Sequence, residues 1–188
     1  MRTLKKMIDY AHDIVRSVVK EGDIVIDATV GNGNDTIFLA ELVGNSGKVY
    51  GFDIQKVAID IANESLQKAN LLNKVQLIND SHQNVSQYVH DKVKAAMFNL
   101  GYLPGGNQNI ITSPLSTVFA ITNIMSILQV GGIITIIIYY GHNGGIKEMN
   151  SVLDYVSNLD SSYYSVQKIE VINNNNTPPI LVCIEKIN

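Results

Sequence analysis

The sequence predicts an α/β fold: a seven-stranded, mostly parallel sheet with helices on both faces, a helix ahead of the first strand, and a C-terminal antiparallel hairpin. Three observations predict it. Five short apolar runs, rich in β-branched residues, alternate with segments of helical periodicity. The last two apolar runs have no helix between them, so they pair as a hairpin. A glycine-bearing loop, Asp27 to Thr36, directly follows the first run. The 188 residues fit one domain spanning 1–188, large enough to bury its own core.

Leu4, Met7, Ile8, Ala11, Ile14, Val15, Val18 and Val19 recur at helical spacing and form an amphipathic helix that Gly22 stops. Ile24-Val25-Ile26 is the first strand. Asp35 is expected to cap the next helix, which runs to about Val43 and ends at Gly44-Asn45-Ser46-Gly47. Lys48 to Phe52 is strand two, Val57 to Ala69 the following helix, and Val75 to Ile78 strand three. A short helix near Val85 to Val89 leads to strand four, Ala95 to Leu100. After a loop with Gly101, Pro104, Gly105 and Gly106, a helix runs from Pro114 to about Leu128, and Gly131-Gly132 leads into strand five, Ile133 to Tyr139. A helix around Ile146 to Leu159 precedes strands near Tyr164 to Ile172 and Ile180 to Ile187, separated by four asparagines, Thr177 and Pro178-Pro179.

Composition narrows the function. Hydrophobic residues make up 46% and charged residues 16%, as in an ordinary soluble protein. The most apolar run, Ile133 to Tyr140, is too short to cross a bilayer, and no apolar signal segment follows Met1, so a cytoplasmic protein is expected. Cys183 is the only cysteine, which excludes an internal disulfide and a cysteine-rich metal site; no metal is expected. The net charge of −3 argues against a broad electrostatic grip on nucleic acid. Residues 1–20 nevertheless carry a net +3, with Arg2, Lys5, Lys6, Arg16 and Lys20 set against Asp9 and Asp13, either a local phosphate contact or a solvated helix face.

Ligands of such sheets bind beyond the carboxyl ends of the strands. Gly31 and Gly33 relieve the loop of Cβ atoms, and Asp53, 20 positions after Gly33, can accept bonds from both hydroxyls of a ribose. Dinucleotide enzymes share this much. S-adenosylmethionine is favoured because Thr36 replaces a third glycine, because Asp27 heads the loop (where its carboxylate orders the loop or faces the methionine ammonium), and because no substrate domain follows. Candidate cofactor contacts in the loop are Asp27, Thr29, Gly31, Asn32, Gly33, Asn34, Asp35 and Thr36. Asp53, Ile54 and Gln55 follow strand two. Asp80, Ser81 and His82 follow strand three, with Asp80 placed to accept from an adenine amine.

Strand four ends in Asn99-Leu100-Gly101-Tyr102. Amino-methyltransferases carry Asn/Asp-Pro-Pro-Tyr/Phe there, and this sequence keeps both ends of that motif. Transfer of a methyl group from sulfonium to nitrogen is an in-line displacement. The Asn99 carbonyl oxygen can accept an amine N–H and aim the lone pair, Tyr102 can stack on a base, and such positioning supplies ~7–11 kcal/mol. His142 after strand five can take up the proton. The lone Cys183 sits in an apolar strand, against a role as nucleophile for C5 methylation.

Taken together, Asp27-Ala-Thr-Val-Gly-Asn-Gly-Asn-Asp-Thr36, Phe52-Asp-Ile-Gln55, Asp80-Ser-His82, Asn99-Leu-Gly-Tyr-Leu-Pro-Gly-Gly106, Tyr140-Gly-His142 and Pro178-Pro179 resemble the rRNA methylase family over nearly the whole chain. The arrangement is that of the Rossmann-like class I methyltransferases. The resemblance implies S-adenosylmethionine-dependent methylation of the aminomethyl nitrogen of wobble 5-aminomethyl-(2-thio)uridine in tRNA. It also implies cofactor contacts at Asn32, Asn34, Asp53, Gln55, Ser81 and His82. An anticodon stem-loop is the expected partner, met by the N-terminal basic residues and the loop from Tyr140 to Gly145. The apolar residues of the first helix and of the terminal hairpin serve either a homodimer contact or the core, and their pattern does not separate the two. Ribosomal RNA or a small amine is the alternative acceptor, and a non-catalytic cofactor-binding protein is the alternative of another class.

Overall fold

The computed structural model describes residues 4–101, 112–174 and 176–188. In chain order the elements are α1 (Met7–Val18), β1 (Ile24–Asp27), α2 (Asn34–Leu42), β2 (Lys48–Phe52), α3 (Lys56–Lys68), β3 (Val75–Ile78), β4 (Val93–Leu100), α4 (Pro114–Ile127), β5 (Leu128–Ile138), α5 (Gly145–Ser157), β6 (Tyr164–Ile169) and β7 (Ile180–Lys186). The seven strands form one sheet in the order β3-β2-β1-β4-β5-β7-β6. β1 to β5 pair in parallel, and β7 pairs antiparallel to both β5 and β6. The final hairpin therefore inserts its second strand, with Ile136 opposite Val182 and Lys168 opposite Val182 on the other side.

The central strands are buried on both faces, which is why they read as unbroken apolar runs. One face is covered by α1, α2 and α3 through Ala11, Val15, Leu39, Val43 and Leu66. The other is covered by α4 and α5 through Ile121, Ile124, Val152 and Val156. On α1 the buried residues Met7, Ala11 and Val15 stand four apart, one stripe of an amphipathic helix. The sheet covers that stripe, so Met7, Ala11 and Val15 serve the core. Full burial of Ile121 or Ile124 contributes about 1.5–3 kcal/mol each.

Several boundaries shift for identifiable reasons. α2 starts at Asn34 with Gly33 as its N-cap in the left-handed region, so Asp35 lies inside the first turn and does not cap it. Strand five begins at Leu128, ahead of the glycines. Val93 pairs with Leu128 and Ala95 with Ile133, so residues 129–132 bulge out, and Gly131 supplies the φ of +69° that the bulge needs. The short helix near Val85 is a 3-10 segment, His82–Gln87, that begins earlier than its apolar residues indicate. β6 ends at Ile169, and Ile172 is exposed.

Candidate functional site

Strand order reverses between β1 and β4, and there the chains leaving the two strands diverge to open a crevice. A cavity of about 870 Å³ occupies it, lined from the carboxyl ends of β1 to β5. That is the size of a site for a nucleoside-scale ligand.

The loop after β1 is fastened from behind. Asp27 is fully buried and accepts hydrogen bonds from the Thr29 N–H at 3.1 Å and the Thr36 hydroxyl at 2.6 Å. Burial, then the nearby charge of Asp35, push its carboxyl up to about 7. Gly33 has φ +81°, and a Cβ there would stand 3.0 Å from the Ala62 Cβ of α3. Its missing side chain thus serves helix packing. Asp27, Gly33 and Thr36 stand behind the residues that line the cavity, and Asp27 orders the loop, one of the two roles its position allowed. Thr29, Gly31, Asn32, Asn34 and Asp35 do face the cavity.

Asp53 stands at the end of β2 and couples two loops. Its Oδ2 accepts from the Gly31 N–H and its Oδ1 from the Gln55 N–H, both at 2.9 Å. Each carboxylate oxygen can accept a second bond, so two positions remain for a ligand. Ile54 and Gln55 line the cavity beside it. Asp80 also lines the cavity, but Tyr88, the Ser81 N–H and Asn84 already donate to it. Burial pushes the Asp80 carboxyl up; those hydrogen bonds outweigh burial and leave it below the usual value. Asp80 is therefore a braced residue of the wall whose acceptor capacity is largely spent. His82 begins the 3-10 segment and is buried against Phe98, edge to face. A carbonyl only accepts, so Nδ1–H donates to the Ala28 carbonyl at 3.0 Å. Burial holds the ring below its ordinary pKa, which keeps it neutral and makes Nε2 an acceptor. Among the described residues no partner reaches that buried Nε2.

On the β4 side the Asn99 N–H donates to the Thr29 hydroxyl at 2.7 Å, tying the strand end to the β1 loop. The Asn99 side-chain amide donates to Asp35 Oδ2, and His12 Nε2 lies 2.7 Å from Asp35 Oδ1. His12 was not singled out in the sequence; it sits on the polar side of α1 and 23 residues from its partner, and no local spacing marks it. Tyr102 lies outside the described residues. The Thr112 N–H donates to the Gly101 carbonyl, the Gly101 N–H donates to the Thr112 hydroxyl, and that hydroxyl donates to the buried Glu148 on α5 at 2.6 Å. His142 lines the cavity and donates Nδ1–H to the Asn143 carbonyl at 3.0 Å. Tyr139 and Thr177, also unforeseen, complete the rim. Cys183 is buried in β7, and burial pushes its thiol up to about 11, far from a nucleophile's range.

These groups fit S-adenosylmethionine. The two remaining Asp53 acceptor positions suit a ribose diol, and the orphaned His82 Nε2 calls for a donor from a ligand.

Comparison with known proteins agrees with this geometry. Residues 49–185 match the family model described as "Putative rRNA methylase". The Arabidopsis thaliana "tRNA (mnm(5)s(2)U34)-methyltransferase, chloroplastic" is 37% identical over 194 residues, covering 98% of this chain and 71% of that protein. The crystal structure titled "putative rRNA-methylase" from Clostridium thermocellum superposes with a TM-score of 0.97 at 50% identity, over 99% of this chain and all of that one. A "putative methyltransferase" from Streptococcus mutans in complex with SAH superposes with a TM-score of 0.90 at 43% identity, over 98% of this chain and 99% of that one. With the family model covering most of its length, this chain belongs to the rRNA methylase family.

Proposed function

We propose that the chain is an S-adenosylmethionine-dependent N-methyltransferase that converts 5-aminomethyl-(2-thio)uridine at the tRNA wobble position to the 5-methylaminomethyl form. One observation carries the reading. Asp53 and Asn99, from strands on either side of β1, line a single cavity, so a group suited to a ribose and a group suited to an amine meet in one site. The similarity to the Arabidopsis tRNA enzyme, over 98% of this chain, supports the acceptor.

When bound, the cofactor supplies an electrophilic methyl group on sulfonium. The chain's residues do the rest by placement. Asp53 holds the ribose, Gly31, Asn32, Asn34 and Gln55 shape the space beside it, and His82 accepts through Nε2. Asn99 Oδ1 accepts an N–H of the incoming amine and leaves its lone pair facing the methyl carbon; Tyr102 stacks on the base. His142, which lines the cavity, takes the proton that the amine must lose. The acceptor is read as an anticodon stem-loop, approached past the 140–145 loop and Lys6 and Lys20, which flank α1, in a single-domain cytoplasmic protein. Among the described residues no helix is long and apolar enough to cross a membrane. A homodimer would meet at β6 of the terminal hairpin, one of the two edge strands of the sheet.

Nucleoside mass spectrometry of tRNA from a deletion strain tests this. The 5-aminomethyl form accumulates and the methylaminomethyl form disappears, and Asn99→Ala fails to restore it. An unchanged nucleoside profile transfers the activity to ribosomal RNA or a small amine.

A further inference from the structure

We infer that Asp35 and His12 are positioning residues that set which atom of the Asn99 amide faces the substrate. The inference rests on the proposed role of Asn99 and extends it to two residues that touch neither reacting atom.

An asparagine amide can turn either end toward an amine, and only one works: Oδ1 accepts an N–H, whereas Nδ2 repels it. A carboxylate has no hydrogen to give. Asp35, whose side chain is 7% exposed, accepts from Asn99 Nδ2 on Oδ2 and from His12 Nε2 on Oδ1. With Nδ2 committed to Asp35, the carbonyl end of Asn99 is the one left for the cavity that the residue lines. The backbone of Asn99 is held separately by Thr29, so the amide turns on a fixed base.

His12 fixes the carboxylate in turn. Its ring stacks on Phe38 of α2, centroids 3.9 Å apart and 9° from parallel, and the Arg16 guanidinium lies 5.2 Å from the same Phe38 ring. The stack orients the imidazole, and its Nε2–H occupies the Asp35 oxygen that Asn99 does not use. Without His12 the buried carboxylate has one unsatisfied oxygen and is free to rotate away from Asn99.

The test separates hydrogen bonding from packing. His12→Phe keeps an aromatic ring on Phe38 and removes the donor; His12→Gln keeps a donor and removes the stack; Asp35→Asn lets either amide end face Asn99. With an aminomethyl anticodon stem-loop as acceptor, His12→Phe and Asp35→Asn lower kcat at least about tenfold, while KM for the stem-loop and Kd for S-adenosylhomocysteine stay within about threefold. His12→Gln recovers most of the rate. A kcat within twofold of wild type for both donor-loss variants overturns the inference, as does a cofactor Kd raised more than tenfold by Asp35→Asn, which would make Asp35 a cofactor contact. A side-chain amide NMR spectrum of the complex with S-adenosylhomocysteine reads the orientation without any acceptor. One Asn99 Nδ2 proton lies downfield in the wild type and moves back in His12→Phe and Asp35→Asn; an unmoved signal overturns the inference. If the wild-type protein transfers no methyl group to the stem-loop, the substrate reading fails and this spectrum still decides the positioning one.

Discussion

At position 27 a carboxyl is fully buried behind the loop it fastens, and its pKa is pushed up to about 7 by burial and then by Asp35. The folded state therefore binds a proton that the unfolded chain, with an ordinary carboxyl near 4, releases. That proton stabilises the fold at low pH, and the contribution is lost as pH rises from ~4 through ~7. Asp27→Asn removes the titration while keeping an acceptor for Thr29 or Thr36. Thermal unfolding at pH 5, 6, 7 and 8 will show the wild type losing stability relative to the variant as pH rises, with the gap levelling off above ~7. A constant gap would mean that Asp27 does not titrate in this window. His82 responds in the opposite sense: its pKa lies below the ordinary histidine value, so its share of the stability is present above ~6.5 and is lost as acid protonates the unfolded chain.

Between elements, the cavity's far wall depends on a contact that crosses α4 and α5. Glu148 on α5 is buried and accepts from Thr117 of α4 at 2.7 Å and from Thr112 at the base of the preceding loop at 2.6 Å. Glu148→Ala leaves both hydroxyls without that acceptor and opens a void. The expected loss is about 3 kcal/mol, or ~6–12 °C in Tm, by calorimetry, and Glu148→Gln should recover part of it. No sequence pattern marks Glu148, because an acid on an amphipathic helix ordinarily reads as a solvated face. The same holds for His12. By contrast β2 and β3 were legible to the residue, since each is a short run rich in apolar and β-branched residues set between turn residues and helical segments. Gly33 was legible as a glycine that matters but not for its reason: the sequence could not show that Ala62 of α3 would occupy the space above it. Local periodicity fixes elements; which polar side chains meet across them depends on tertiary placement.

The whole molecule is mildly acidic, and its basic N-terminal segment is partly neutralised. Lys5 pairs with Asp13, and Arg16 lies 3.3 Å from the same carboxylate. Arg2 lies outside the described residues, which leaves Lys6 and Lys20, at the two ends of α1, as the cations of this segment without an ion pair among the described residues. Recognition of an anticodon stem-loop then depends on a few phosphates and on the cavity itself. A fluorescence titration across salt concentrations should give a log–log slope no steeper than about −3, since each phosphate neutralised contributes ~0.7–0.9. A slope near −6 would require a basic surface that α1 does not provide.

The position of β7 has a consequence for how the protein is made. Ile180–Lys186 is the latest strand in the sequence, yet it lies between β5 and β6. Until that stretch leaves the ribosome, the isoleucine-rich edge of β5 has no neighbour and β6 has nothing to pair with. A nascent chain halted before residue 180 would expose that edge to other chains, so this is the stage at which synthesis most needs a chaperone.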